Sequence, residues 1–267
     1  MSNQGLILKI STADSARFGL VIARGRSEHG EPLPSPLTLK QAIQALSADV
    51  AIIRLPAGSA ATMQGLAELG FVPFHADTLV YYEKELGTAA RPVPEGIRID
   101  KATPDDSAAV AAIARNAFGD YASHYHANPL LDRRRVLEGY AEWATKYLEG
   151  VDCVTWVARS DGNAVAFLSS TCNTEDATCE VVLNAVAPTH EKRGIYTQLL
   201  RHATFALQAQ GFKRLLISTQ VWNYGVQRIW AREGLGLVRA YDTYHVNSLL
   251  SAPMKTDRDL INGTESA

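Results

Sequence analysis

The stretch EVVLNAVAPTHEKRGIY, residues 180–196, determines how the sequence must fold. Its first half continues an apolar, β-branched run from Thr178 to Val186 that predicts a buried strand. A loop from Pro188 to Gly194 follows, and helical spacing of apolar residues then begins at Ile195. The first N–H groups of a helix lack intrahelical acceptors, and the helix dipole favours negative charge there. The order strand, loop, helix therefore predicts an anion-binding site.

The composition of this loop favours a phosphate group. Gly194 lets the backbone approach a ligand closely, and Lys192 and Arg193 add positive charge. A loop with a single glycine is weak support when taken alone. Its context strengthens it, because a second strand ends near Val221 and the segment Asn223-Tyr-Gly-Val-Gln-Arg-Ile-Trp-Ala-Arg-Glu-Gly234 follows.

Together the two segments resemble the GNAT superfamily of acyl-CoA-dependent N-acetyltransferases. The family's phosphate loop, Q/R-x-x-G-x-G/A, appears here as Glu191-Lys192-Arg193-Gly194-Ile195-Tyr196. Its later signature, N-x-x-A/V-x-x-x-Y-x-x-x-G-F, is matched at Asn223, Val226 and Gly234. The resemblance covers about residues 97–248. It implies an α/β fold with a mixed sheet, and acetyl-CoA or another short acyl-CoA as the cofactor.

Three residues depart from the family pattern. Glu191 replaces Gln or Arg, Tyr196 replaces a small residue, and Trp230 stands where many members carry a tyrosine that protonates the leaving thiolate. An indole N–H is a donor but not a usable acid at neutral pH. Tyr224 and Tyr196 are therefore candidate acids, unless the thiolate leaves without direct protonation. Trp230 itself is expected to be a packed core aromatic.

The reaction implied by the resemblance is attack of a neutral amine on a thioester, which requires a donor for the developing oxyanion. In this family that donor is a backbone amide at a bulge, and the matching positions are Ala185 and Val186. The free edge of the same strand would pair with the pantetheine arm. Asn223 matches a position that contacts this arm, and it is equally suited to cap the helix that starts at Tyr224.

Two polar residues on the strand are candidate catalytic groups. Alternation places Glu180, Val182, Asn184 and Val186 on one face. Glu180 is a candidate general base, with a solvated glutamate at the strand end as the alternative. Asn184 is a candidate catalytic residue because it interrupts an otherwise apolar strand.

An aromatic and histidine-rich segment at residues 118–130 supplies candidate acceptor-binding residues: Tyr121, His124, Tyr125 and His126. In GNAT enzymes the corresponding loop covers the acceptor; a surface loop with incidental histidines is the alternative. The run from His124 to Pro129 resembles GNAT enzymes that acylate nucleotide-linked amino sugars in O-antigen, lipopolysaccharide and related glycan pathways. The implied substrate is a dTDP- or UDP-linked amino-deoxy sugar. The alternative acceptors are another small amine and a protein N-terminus. The alternative function is that of a non-catalytic acyl-CoA-binding module.

The N-terminal third repeats the later layout on a smaller scale. Gly70 lies 18 residues after Ile52, as Gly234 does after Leu216. We expect a degenerate GNAT-like domain at 1–86, although coincidence would also explain the repeat. The full expected order is this domain, a linker at 87–96, a catalytic GNAT domain at 97–250 and a flexible tail at 251–267. Short apolar stretches at 6–10 and 18–23 are predicted strands.

Composition narrows the class of protein further. The 267 residues are 46% hydrophobic and 20% charged, with a net charge of −2, which is typical of a globular protein and lacks the basic excess of a nucleic-acid binder. The N-terminus does not have the pattern of a secretory signal, and no apolar run approaches the roughly 18–20 residues of a membrane span. Three cysteines without metal-ligand spacing favour free thiols in a reducing cytoplasm. We expect a cytoplasmic enzyme without a metal, a nucleic-acid partner or a membrane partner, which could form a homodimer.

Overall fold

The computed structural model describes residues 6–86 and 97–248. The predicted linker at 87–96 and the predicted tail at 251–267 lie outside these described residues. Within them the fold mixes helices with parallel and antiparallel strands, so the predicted α/β class with a mixed sheet is confirmed.

The first part of the chain alternates short strands with helices. In chain order its elements are β1 (Lys9–Ile10), α1 (Thr12–Phe18), β2 (Ile22–Arg26), α2 (Pro36–Ala45), β3 (Val50–Pro56), α3 (Ala60–Glu68) and β4 (Pro73–Glu85). The predicted strand at 18–23 is wrong. Ser11 accepts a hydrogen bond from the Asp14 N–H and starts a helix, Gly19 ends it at φ 68°, and the strand begins only at Ile22.

The described second part of the chain places two helices before a group of strands and two more helices among its last strands. Its elements are β5 (Arg98–Lys101), α4 (Ser107–Phe118), α5 (Arg133–Lys146), β6 (Cys153–Ser160), β7 (Asn163–Asn173), β8 (Thr178–Val186), α6 (Ile195–Ala209), β9 (Arg214–Gln220), α7 (Tyr224–Arg232) and β10 (Gly236–Asn247). A hairpin turn joins the antiparallel strands β6 and β7. Asp161 and Gly162 both have positive φ, as a tight two-residue hairpin requires.

The chain divides into two compact units. Among the described residues, unit 1 comprises residues 6–78 and 241–248, and unit 2 comprises residues 79–86 and 97–240. This division falls inside the long strands β4 and β10, whereas the predicted linker at 87–96 lies outside the described residues. The reason is strand pairing: the second half of β4 pairs with β9, and the second half of β10 pairs with β3.

Unit 1 has its own apolar core. β2 and β3 are parallel, and β3 pairs antiparallel with Tyr241–Asn247 of β10. Leu39 and Ile43 of α2 pack with Ile53 and Leu66 in one buried cluster. Amphipathic helices covering a short sheet explain why this unit is compact at its size.

Unit 2 is built around the antiparallel strands β6, β7 and β8, and β8 pairs in parallel with β9. The buried face of α6, with Leu199, Ala203 and Leu207, joins a core that includes Ile217 and Trp230. The three cysteines all lie in unit 2 and are free thiols, as predicted. Among the described residues, no helix has both the length and the apolar character needed to span a bilayer.

Candidate active site

The site begins where two parallel strands separate. β8 and β9 pair only from Thr178 opposite Arg214 to Val181 opposite Ile217, although β8 continues to Val186. Beyond Val181 the other edge of β8 stays paired with β7. In the described part of the chain, the edge of β8 that faced β9 has no strand partner from there on. Its backbone N–H and C=O groups are therefore available to a ligand.

A bulge lies at the point of separation. Ser169 pairs with Leu183 and Ser170 with Val181, so Val182 is the extra residue in β8. A bulge bends and twists its strand, which accounts for the divergence from β9. The sequence prediction placed the bulge at Ala185 and Val186, and this is wrong, because both residues pair in regular register with β7.

A cavity of about 450 Å³ occupies the space between the separated strands. It is also bordered by the end of α4 and the first turns of α6 and α7. The predicted site residues that line it are Tyr121, Asn184, Ala185, Val186, Glu191, Lys192, Gly194, Ile195, Tyr196 and Asn223. Burial along β8 alternates as predicted, with Asn184 half-buried between the buried Leu183 and Ala185.

The loop before α6 has the geometry of an anion site. Gly194 is the N-cap residue at φ 77°, and no side chain among the described residues caps the helix there. A Cβ on Gly194 would meet nothing within 4 Å, so its backbone conformation, and not crowding, favours glycine. Lys192 also has a positive φ, of 60°, and lines the cavity. The first N–H groups of α6 therefore remain open beside a cationic side chain.

Polar side chains connect α4 with β9 and α7 at one wall of the cavity. The Tyr121 hydroxyl contacts the Gln220 side chain and lies 3.3 Å from Thr219 Oγ1. Asn223 donates from Nδ2 to the same Thr219 oxygen at 3.1 Å. Asn223 does occupy the N-cap position of α7, but its side chain makes no capping hydrogen bond. The predicted N-cap position of Asn223 is therefore confirmed, while its side chain is directed to Thr219 and not to the helix N–H groups.

Two predicted catalytic residues are not brought to the cavity. Glu180 pairs with Thr171 and Leu216 in the part of β8 that is still flanked by strands on both sides. Tyr224 is 64% exposed and, like Glu180, is absent from the described lining of the cavity. The sequence prediction that Glu180 and Asn184 share one strand face is wrong as well. Glu180 pairs with Thr171 and Asn184 with Leu168, and these two β7 residues, three positions apart, face opposite sides of the sheet. The one-residue bulge at Val182 is the cause. Arg193 is also exposed and lies outside this lining, in contrast to the neighbouring Lys192.

The histidine segment has a structural role in the fold. His124–Ala127 form a short 3-10 turn, in which His126 Nδ1 accepts a hydrogen bond from the Ser123 N–H. Burial, together with the positive charge of Arg133, lowers the pKa of His126. The His124 ring is buried against Tyr125, with ring centroids 4.0 Å apart. Of the four predicted acceptor-binding residues, the described lining contains Tyr121 but not these three.

Sequence reasoning missed several cavity residues, notably Phe118, Thr219 and Trp230. Trp230 is buried as expected, at 1% exposure, yet it also borders the cavity and donates from Nε1 to the Tyr196 hydroxyl at 2.7 Å. The family signature already pointed to position 230, since an aromatic there lies about two helical turns after Asn223. Phe118 and Thr219 carry no such signal, because nothing in their own segments predicts the approach of α4 to β9.

Comparisons with known proteins agree with this geometry. Residues 116–236 match the sequence profile of the Acetyltransferase (GNAT) family. The chain is 29% identical over 143 residues to the spore coat polysaccharide biosynthesis protein SpsD of Bacillus subtilis, covering 54% of this chain and 48% of SpsD. The chain thus spans about half the length of that curated relative.

Solved structures share the fold. A GCN5-related N-acetyltransferase from Sphaerobacter thermophilus superimposes with a TM-score of 0.59 at 16% identity, covering 90% of this chain and 75% of that one. A tandem GNAT protein from the clavulanic acid biosynthesis pathway gives a TM-score of 0.55 at 12% identity, covering 84% and 74%. Residues 116–236 thus match the profile of the Acetyltransferase (GNAT) family, and the strand separation and the open N-terminus of α6 are consistent with that match.

Proposed function

We propose that the chain is an acyl-CoA-dependent N-acyltransferase that transfers a short acyl group, most simply acetyl, to an amine by direct attack on the thioester. One observation carries this proposal. The unpaired edge of β8 and the uncapped N-terminus of α6 border the same cavity, so one site offers both a strand edge and an anion-binding loop.

These residues fit an acyl-CoA. The open N–H groups at the start of α6 and the Lys192 ammonium suit the pyrophosphate. The unpaired edge of β8 suits the amide groups of the pantetheine arm, as in the addition of a strand to a sheet. When bound, acyl-CoA supplies an activated carbonyl with a thiolate leaving group.

The chain's contribution to the chemistry is to orient the reactants and stabilise charge. Backbone N–H groups on the unpaired edge beyond Val181 are fixed donors for the charge that develops on the acyl oxygen. Asn184 projects from the same strand into the cavity, where its side chain can hold the attacking amine. Glu180 lies outside the described lining, and Glu191, the only carboxylate within it, belongs to the phosphate loop. We therefore assign loss of the amine proton to water and not to Glu180.

The acceptor we propose is the amino group of a nucleotide-linked amino-deoxy sugar. Tyr121 lies at the cavity, 5.0 Å from the ring of Trp222 and 5.3 Å from that of Phe118. Phe118 stacks on Tyr140 at 4.3 Å, and Trp222 is 41% exposed. Aromatic faces of this kind pack against the apolar face of a sugar or a base while hydroxyl and indole groups bond its polar edge. The similarity to SpsD of B. subtilis, a spore coat polysaccharide biosynthesis protein, supports the same substrate class.

We further infer that unit 1 derives from a degenerate GNAT-like copy and that the protein works in the cytoplasm on a glycan precursor, such as one for O-antigen or lipopolysaccharide. The repeated order of strand, helix, glycine and strand supports the first point, with Gly70 and Gly234 both at positive φ. A tandem GNAT protein among the similar structures supports it as well. A homodimer remains a prediction.

The test is release of free thiol from acetyl-CoA in the presence of different amines. Purified protein is incubated with a panel of dTDP- and UDP-linked amino sugars, amino acids, polyamines and peptides with free N-termini, and longer acyl-CoA thioesters are run in parallel. Turnover with a nucleotide-linked amino sugar supports the proposal. Turnover only with another amine overturns the acceptor assignment. Binding of acetyl-CoA without turnover of any amine indicates a non-catalytic acyl-CoA-binding module.

A further inference from the structure

The hydroxyl of Tyr196 is a hydrogen-bond donor with an unused hydrogen at the cavity. Tyr196 is the second residue of α6 and lines the cavity. Its oxygen accepts the Trp230 Nε1–H at 2.7 Å. An indole nitrogen can only donate, so the hydroxyl hydrogen of Tyr196 is not used in that bond. No acceptor for this hydrogen is found among the residues that the structure describes.

The position of this hydroxyl is fixed by its partner. Trp230 is 1% exposed and packs edge-on against Tyr82, with centroids 5.3 Å apart. The Tyr82 hydroxyl in turn donates to Gln227 Oε1 at 3.2 Å. Because the indole cannot move without disrupting this packing, its N–H holds the Tyr196 oxygen in place. Since Tyr196 lines the cavity, the unused hydrogen is left available to a ligand bound there.

The electrostatics keep this group a neutral donor. Burial raises the pKa of the Tyr196 phenol well above its ordinary value, and the hydrogen bond from Trp230 offsets only part of that shift. A phenol of this kind keeps its proton throughout the neutral range. It can donate a hydrogen bond to an anion, and the bond it accepts from Trp230 strengthens that donation through polarisation.

We propose that Tyr196 donates a hydrogen bond to the sulfur of the leaving thiolate, and that Trp230 is the residue that positions it. This inference rests on the proposed acyltransferase function. The amine nitrogen bonds to the acyl carbon, the carbon–sulfur bond breaks with its electron pair on sulfur, and the excess amine proton passes to water. The phenol keeps its own proton, and solvent protonates the thiolate afterwards. Tyr196 on α6 thus supplies the hydroxyl that Trp230, on α7, does not have.

The test compares CoA with desulfo-CoA, in which hydrogen replaces the thiol, by titration calorimetry between pH 7 and pH 9.5. A thiol such as that of cysteine has a pKa of about 8.5. The wild-type protein is expected to bind CoA more tightly as the thiolate forms, whereas its affinity for desulfo-CoA stays nearly constant. Tyr196→Phe should lose about 10- to 100-fold in CoA affinity at the upper end of this range, the usual effect of one hydrogen bond to a charged group. Its affinity for desulfo-CoA should change by no more than about two-fold.

Two further variants make the test specific. Trp230→Phe keeps an aromatic ring but removes the indole N–H. In this variant the affinity for CoA should rise less with pH than in the wild type. Tyr147→Phe is the matched control, because Tyr147 also accepts an indole N–H, from Trp143 at 3.0 Å, on the exposed end of α5. It should behave as wild type. Thermal melting verifies that each variant is folded.

Steady-state kinetics gives an independent test of the role of Tyr196. With a competent amine, Tyr196→Phe should lower kcat by about 10-fold or more with little change in the KM for acetyl-CoA. Equal weakening of CoA and desulfo-CoA would overturn the inference, since it would place the phenol against another part of the cofactor. An unchanged pH dependence in Tyr196→Phe would overturn it as well. If the wild type turns over no amine, the proposed function fails, while the binding comparison still decides the role of Tyr196.

Discussion

Val181 of β8 and Ile217 of β9 are the last residues through which these two parallel strands pair. The next residue, Val182, bulges from the β7 ladder, and β8 then runs on to Val186 with one free edge. A single inserted residue thus converts a continuous parallel pair into a cavity lined by backbone groups. The position of the cavity therefore depends on where the pairing of β8 with β9 stops.

Replacing Gly194 by alanine should weaken acyl-CoA binding. The residue has φ 77° at the start of α6, and a side chain there costs about 1–2 kcal/mol in the left-handed region or forces the loop to rearrange. We expect a loss of about 10-fold in affinity for CoA by calorimetry. Gly211→Ala is the control, because Gly211 also has a positive φ, of 93°, and open space around its Cα, but does not line the cavity in the described structure. Equal affinities in the two variants would contradict an anion-binding role for the loop.

Lys192 and Arg193 should differ in their effect on the cofactor. Both residues are exposed, but Lys192 lines the cavity and Arg193 lies outside its described lining. Lys192→Gln is expected to reduce affinity for CoA by about 5- to 10-fold at low salt and to weaken the salt dependence of binding. Arg193→Gln should reduce it by no more than about two-fold. Isothermal titration at several ionic strengths checks both, and the reverse order would restore Arg193 as the phosphate-binding side chain.

Asn184 and Glu180 make a second matched pair, as polar residues of β8 on either side of the bulge at Val182. Asn184→Ala should lower kcat/KM for the amine by about 10-fold, because its side chain faces the cavity. Glu180→Gln should leave the rate within about two-fold and should not shift the pH–rate profile. Steady-state kinetics from pH 6 to pH 9 separates the two. Disappearance of the acidic limb in Glu180→Gln would show that this carboxylate is the general base after all.

His245 should make the stability of unit 1 sensitive to acid. Burial, with the nearby positive charges of Arg24 and Arg54, lowers the pKa of His245 from 6.5 to about 3. The folded pKa lies below the unfolded one, so the unfolded chain binds the proton first and stability falls as the pH drops from about 6 towards 3. The expected slope from this residue is about 1.4 kcal/mol per pH unit. Urea unfolding at pH 7, 6, 5 and 4 should show a shallower decline for His245→Gln than for the wild type. Parallel curves would rule out His245 as the source.

The sequence predicted the elements of the site well, because local patterns determine them. The strand from Thr178 to Val186, the loop glycine at 194 and the helix from Ile195 each follow from periodicity and from helix-terminus chemistry. The errors came from features with no local signature. The bulge at Val182 and the division of the chain inside β4 depend on which strands pair with which. Glu180 and Asn184 look equivalent in sequence, but the bulge puts them on opposite faces of β8, and β9 flanks only Glu180.

The sequence alone determined an α/β chain with a strand–loop–helix anion site and a second motif at a fixed distance from it. These are properties of dihedral preferences, apolar spacing and unpaired helix N–H groups, all of which act over a few residues. Tertiary structure alone decided that Trp230 and Tyr196, 34 positions apart, share a hydrogen bond at the cavity. It also decided that the histidine segment holds a turn in place instead of lining the site. These contacts arise from packing between elements that are distant in the chain. The spacing of residues along the sequence does not predict which of those elements pack together.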